Sequence, residues 1–139
     1  MTGRGKALLA GAVAGVVLGR FALLPLIGRV ERSWRQRVAV SGHSMEPTLI
    51  DGDWLLVDPL GYTGHPPLPG ELVVVRDPRR RDRLLVKRVN DIRGEGRLQL
   101  IGDHAAHKGD GDEIGLIDPT DVIGRPWLRY RPARRMGRL

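Results

Sequence analysis

From Arg37 onward the apolar positions recur at a spacing of two or gather into short β-branched runs, and glycine, proline or aspartate interrupts every gap between them. The runs are 37–41, Trp54–Val57, Leu72–Val75, Leu84–Val89, Leu98–Ile101, and Val122–Ile123 followed by Trp127–Tyr130. Asp51-Gly52-Asp53, Pro66-Pro67-Leu68-Pro69-Gly70 and Gly109-Asp110-Gly111 are among the turn-forming stretches that separate them. This pattern predicts a small, mostly β domain of short antiparallel strands. Residues 76–83, with five arginines and two aspartates, are expected to form a charged, solvated hairpin tip.

The segment before Arg37 is different. Apart from Arg20 it is unbroken and apolar from Ala7 to Gly28, and these 22 residues taken as one helix would be roughly 33 Å long, enough for a hydrocarbon core of about 30 Å. Residues 1–36 are therefore expected to be a membrane anchor with a basic juxtamembrane segment, ahead of a domain over 37–139. A cleaved export signal fits less well, because no small-x-small site follows the apolar run. An amphipathic or protein-buried helix is the third reading, since Arg20 and Pro25 both interrupt the run.

Composition narrows the function classes. The chain has no cysteine, which excludes disulfides, thiolate metal sites and cysteine nucleophiles together. Its net charge of +7 is unevenly placed: residues 1–37 and 125–139 are basic, while 38–124 are net acidic. A nucleic-acid reader carries its charge on the folded face that docks, so no nucleic-acid partner is expected, and membrane lipid suits the basic ends better. His104-Ala105-Ala106-His107 with Asp103 and Asp110 has the residue types of a carboxylate–imidazole metal cluster. The surrounding glycines favour a solvated loop, and neither metal nor cofactor is expected.

The reactive residues are few. There are three serines and three lysines against twenty arginines, and arginine never deprotonates, so a general base with an amine must be a lysine. Strand alternation sets Lys87 on one face with Leu85 and Val89, and apolar neighbours disfavour the ammonium form. An exposed lysine on a strand edge is the plainer reading of the same residue. Ser44 follows Gly42 in Ser41-Gly42-His43-Ser44-Met45-Glu46-Pro47, a turn that can present a hydroxyl to a base and a backbone N–H to an oxyanion.

Gly42-x-Ser44-Met45-x-Pro47-Thr48-Leu49, then Gly52-Asp53, Gly70-Glu71-Leu72-Val73-Val74, Lys87-Arg88-Val89 and Gly102-Asp103, resemble the ordered boxes of the type I signal peptidases. The resemblance covers roughly residues 38–130. It implies a signal-peptidase-like β domain preceded by one transmembrane helix, held in a bacterial cell membrane as a single-pass protein. It further implies a serine endopeptidase with Ser44 as nucleophile, Lys87 as general base and the Ser44 amide as oxyanion donor. Val40, Met45, Leu49 and Val86 would line the pocket for small side chains, and Asp103 and Asp110 would support the site. The partner would be a protein precursor, bound by its N-terminal signal or pro-segment along strand 37–41.

Two positions depart from the family pattern. Gly42 stands where some members carry a second oxyanion serine, and the last box reads Gly102-Asp103-His104, then Lys108-Gly109-Asp110-Gly111-Asp112, where a serine and an arginine are usual. His104 or His107 is the candidate to replace the lost hydrogen bond to Lys87. Three alternatives follow from these departures and from the charges. A dedicated maturation protease, of the kind that trims nickel-type superoxide dismutase precursors, fits the short body and the closing Gly124-Arg125-Pro126-Trp127. A non-catalytic, membrane-bound family member fits the altered last box. The self-cleaving repressors share the Ser/Lys chemistry but need a DNA-binding domain. Flanking charges put the domain in the cytoplasm, whereas the family places it on the opposite side, so the side is left open.

Overall fold

Alternating apolar residues make strands only where neighbours supply the missing backbone partners, and here each run finds them in one antiparallel sheet. The computed structural model describes residues 24–104 and 114–139. A helix, α1, covers residues 24–35. The strands are β1 (Arg37–Ala39), β2 (Trp54–Asp58), β3 (Leu72–Arg76), β4 (Leu84–Arg93), β5 (Arg97–Ile101), β6 (Leu116–Ile117), β7 (Val122–Arg131) and β8 (Gly137–Arg138). Their order is β1-β2-β7-β3-β4-β5-β6, with β8 beside β7, an open half-barrel.

Two apolar clusters follow from the strand alternation. On β3, Val73 and Val75 join Val89, Leu98, Leu100 and Ile117, all nearly inaccessible. Leu72 turns the other way and packs with Val40, Met45, Leu49 and Leu55. The second cluster underlies the loop that joins β1 to β2, and that loop carries Ser44.

β7 is a single strand from Val122 to Arg131, although Gly124-Arg125-Pro126 reads as a break. Gly124 is required by packing, since a β-carbon there would fall 2.5 Å from the Asp58 carbonyl oxygen. Pro126 lies opposite Val57, beside a register shift between Leu56 and Val57, so the ladder bends around its missing N–H.

The membrane-span expectation is corrected by the structure. Among the described residues no helix is long and apolar enough to cross a membrane. α1 bears four charged residues, Arg29, Glu31, Arg32 and Arg35, and it docks on the sheet instead. Trp127 Nε1 donates to the buried Ser33 Oγ at 2.9 Å. The Arg29 guanidinium lies 4.6 Å above the Trp127 ring, with Nε 3.0 Å from Asp58 Oδ2. The transmembrane helix and the single-pass placement are therefore withdrawn. Most of the expected span of 7–28, namely residues 7–23, lies outside the described residues.

A buried ion cluster fixes the β1–β2 loop. Asp53 is fully buried and takes Arg135 Nε at 3.2 Å, Arg129 Nη1 at 3.4 Å and the Ile50 amide at 3.0 Å. Arg129 Nη1 also donates to the Thr48 carbonyl at 2.9 Å. Removing one member of a buried charge cluster strands the others, at about 3–5 kcal/mol. Asp53→Ala is expected to lower the unfolding free energy by about 3 kcal/mol in urea titrations. Asp82→Ala, whose carboxylate sits 3.9 Å from Arg80 with both side chains mostly exposed, is expected to change it by less than about 0.5 kcal/mol. Similar losses in the two variants would contradict this account.

Candidate active site

The loop after β1 begins with a turn that only glycine adopts without strain, Gly42 at φ +91°. Its amide donates to Asp51 Oδ1 at 3.0 Å, which ties the start of the loop to its end. A helical turn follows, with the Glu46 amide on the His43 carbonyl at 3.1 Å and the Leu49 amide on the Met45 carbonyl at 2.9 Å. Met45 and Leu49 are buried by that turn, which leaves Ser44 half-buried at its outer side.

Lys87 comes from β4, opposite Val73, and shares the face of Leu85 and Val89 as alternation requires. It is 7% exposed, so the plain reading of a solvated edge lysine does not hold. Ser44 and Lys87, 43 residues apart in sequence, line one cleft of about 700 Å³. Val40, Met45 and Val86 line the same cleft, while Leu49 lies in the core beneath and does not reach it.

The cleft runs between two strand edges. β1 pairs only with β2, and the Leu84–Lys87 part of β4 pairs with β3 on one side, because β5 begins its pairing at Arg88. Among the described residues, both edges facing the cleft lack a ladder partner.

Asp103 ties the end of β5 to β4 one residue beyond Lys87. Arg88 Nε and Nη2 donate to its two oxygens at 2.7 and 2.6 Å, and Arg88 Nη1 donates to the Gly70 carbonyl at 2.6 Å. Those hydrogen bonds to Asp103 hold the Arg88 guanidinium above its usual pKa. The neighbouring residues then reach Ser44. The His104 amide donates to the Ser44 carbonyl at 3.1 Å, and Gly102 packs so closely that a β-carbon would collide with that carbonyl oxygen. Asp110 and His107 lie outside the described residues.

Sequence reasoning missed Asp51, Asp53, Arg129 and Arg135 as the supports of this loop. Asp51-Gly52-Asp53 carries a turn signal, but nothing local says that one carboxylate takes the Gly42 amide and the other two guanidinium groups. The 76–83 tip is a hairpin tip exposed at every residue but Asp77, as its charge pattern suggests, and the sequence did not show that Arg79, Arg80 and Arg83 on it also line one end of the cleft.

His43, beside Ser44, is exposed and bonded to Glu46 through Nδ1 at 2.7 Å, which raises its pKa. The pairing favours the folded loop below the ordinary histidine value of about 6.5 and is lost as pH rises through the raised one. Glu46→Gln is expected to bring the His43 titration midpoint in NMR down toward that ordinary value; an unchanged midpoint would contradict the pairing. Gly102→Ala is expected to cost about 1–3 kcal/mol of stability, as forced overpacking does, with changed amide shifts at Ser44. A variant as stable as wild type with unchanged shifts would refute the close approach.

The family model described as signal peptidase, peptidase S26, matches residues 15–96, more than half of the chain and including both Ser44 and Lys87. Over 143 aligned residues the chain is 23% identical to the probable signal peptidase I-1 of Synechocystis sp., covering 72% of this chain and 73% of that one. Over 54 residues it is 37% identical to the signal peptidase I of Aquifex aeolicus, covering 39% of this chain but only 21% of that protein's length. These matches address the family in general and do not single out the superoxide dismutase maturation subgroup. With more than half of its length matched by one family model, the chain belongs to the signal peptidase family, peptidase S26.

Proposed function

We propose that this chain is a serine endopeptidase in which Ser44 is the nucleophile and Lys87 the general base. The observation that carries the reading is the meeting of a half-buried serine and a buried lysine, from two distant segments, in one cleft bounded by strand edges that have no ladder partner among the described residues. A substrate segment adds as an extended strand between β1 and the Leu84–Lys87 edge, which supplies main-chain hydrogen bonds without sequence demands. Val40, Met45 and Val86 offer shallow apolar contacts, so the residue before the cleaved bond is small. Leu49 supports that wall from below.

In the reaction Lys87, as the neutral amine, takes the proton of the Ser44 hydroxyl while Oγ bonds to the substrate carbonyl carbon. The Ser44 backbone N–H faces the negative charge that develops on the carbonyl oxygen. The C–N bond then breaks as the lysine ammonium returns its proton to the leaving amine, and water hydrolyses the Ser44 ester by the same route. The Gly42 amide donates to Asp51, and Gly102, Asp103 and His104 act by positioning, since they hold the serine loop and β4 together.

The test is cleavage of two precursors, one with an Ala-x-Ala export signal and one with a short N-terminal pro-segment, with the new N-termini sequenced. Ser44→Ala and Lys87→Ala are each expected to lower kcat/KM by about a thousandfold or more. The preferred precursor separates a general export-signal peptidase from a dedicated maturation protease. Cleavage that survives either substitution would contradict the proposal.

A further inference from the structure

The cleft has two unlike ends. Near Ser44 it is apolar, whereas at the other end it is lined by Arg79, Arg80 and Arg83 of the β3–β4 turn, with Asp77 as the one acid there. That turn is firmly built. The Asp77 amide donates to the Arg83 carbonyl at 2.9 Å, the Arg83 amide to the Arg80 carbonyl at 2.9 Å, and the Arg79 amide to Asp77 Oδ1 at 2.9 Å. The buried Asp77 carboxylate is thereby engaged by its own turn. Arg81 turns away to Asp121, and among the described residues Arg80 has only the distant, exposed Asp82 at 3.9 Å. Among the described residues, no carboxylate pairs with Arg79 or Arg83.

We infer that this arginine end selects substrates carrying acidic side chains a few residues before the cleaved bond. The inference rests on the proposed function, which fixes the direction of the substrate: the small-residue wall includes Val86, one step from Lys87 toward Arg83. An extended segment that continues past Val86 along the Leu84–Lys87 edge moves about 3.3 Å per residue. It reaches Arg83 and the turn at roughly the fourth to sixth residue before the bond. Guanidinium groups there can take carboxylates in bidentate fashion and repel lysine or arginine. Acidic residues at those positions favour binding, and basic ones exclude it.

The experiment uses the full chain with Ser44→Ala, so that peptides bind without being cut. Three fluorescent peptides share a small-residue cleavage site and carry Asp, Ser or Lys at the fourth to sixth residues before it. The Asp peptide is expected to bind at least about tenfold more tightly than the Lys peptide at low salt, with the Ser peptide between them. That spread is expected to shrink in about 0.5 M NaCl, as screening requires. Adding Arg79→Glu and Arg83→Glu is expected to reverse the order. Equal affinities, an order unmoved by the charge reversal, or binding of none of the three peptides would each overturn the inference. Loss of all binding in the reversed variant counts against it as well, because the preference has then not followed the charge. Cleavage of the same peptides by the wild type tests the underlying reading separately. Ser44-dependent cleavage blind to charge sinks only the acidic preference, whereas charge-ordered binding without Ser44-dependent cleavage sinks only the proposed chemistry.

Discussion

The arrangement depends on one close approach, that of Gly102 and His104 to the carbonyl of Ser44. The serine sits on a loop after β1 and the lysine on β4, and the sheet itself does not bring them together, because β1 and β4 are separated by β2, β7 and β3. The segment at the end of β5 bridges them. Asp103 grips Arg88 next to Lys87, and its two neighbours contact the Ser44 backbone. A side chain at 102 would push the two halves apart, so a residue with no chemistry of its own sets the distance on which the proposed chemistry depends.

A second restraint acts from the far end of the chain. Asp53, buried at the start of β2, is held by Arg129 and Arg135, and Arg129 reaches on to the Thr48 carbonyl within the serine loop. Arginine suits this role because its fixed fork can serve a carboxylate and a carbonyl together. The +6 of the last fifteen residues is therefore partly structural. Two of those arginines neutralise a core aspartate and are not available to an outside anion. The helix makes a similar use of charge, with Arg29 against Asp58 and the Trp127 ring.

Most strands were legible in the sequence because the alternation is local: Leu72–Val75 and Leu84–Val89 carry their own face assignment, and Lys87 falls on the predicted face beside Leu85 and Val89. The β7 strand was read as two pieces because the need for Gly124 arises from Asp58, a contact that is distant in sequence. Two-residue strands such as β6 and β8 are too short to show a period at all. Ser44 and Lys87 could be singled out because serine and lysine are scarce here, but what holds them could not. The partners of Asp53 lie 76 and 82 residues away. The helix was misjudged for a related reason: the apolar length of 7–28 was counted, while nothing local says that Arg29 and Ser33, in what was read as the basic juxtamembrane segment, meet Trp127, 94 residues beyond Ser33.

The central claim is that Ser44 forms a covalent ester with the substrate. The most direct measurement is acid quenching of the wild-type chain during turnover of a precursor, followed by peptide mapping by mass spectrometry. The account predicts the N-terminal fragment of the precursor attached to residue 44, and no such adduct on the Lys87→Ala chain. An ester on another side chain, or steady cleavage with Ser44 never acylated, would contradict it.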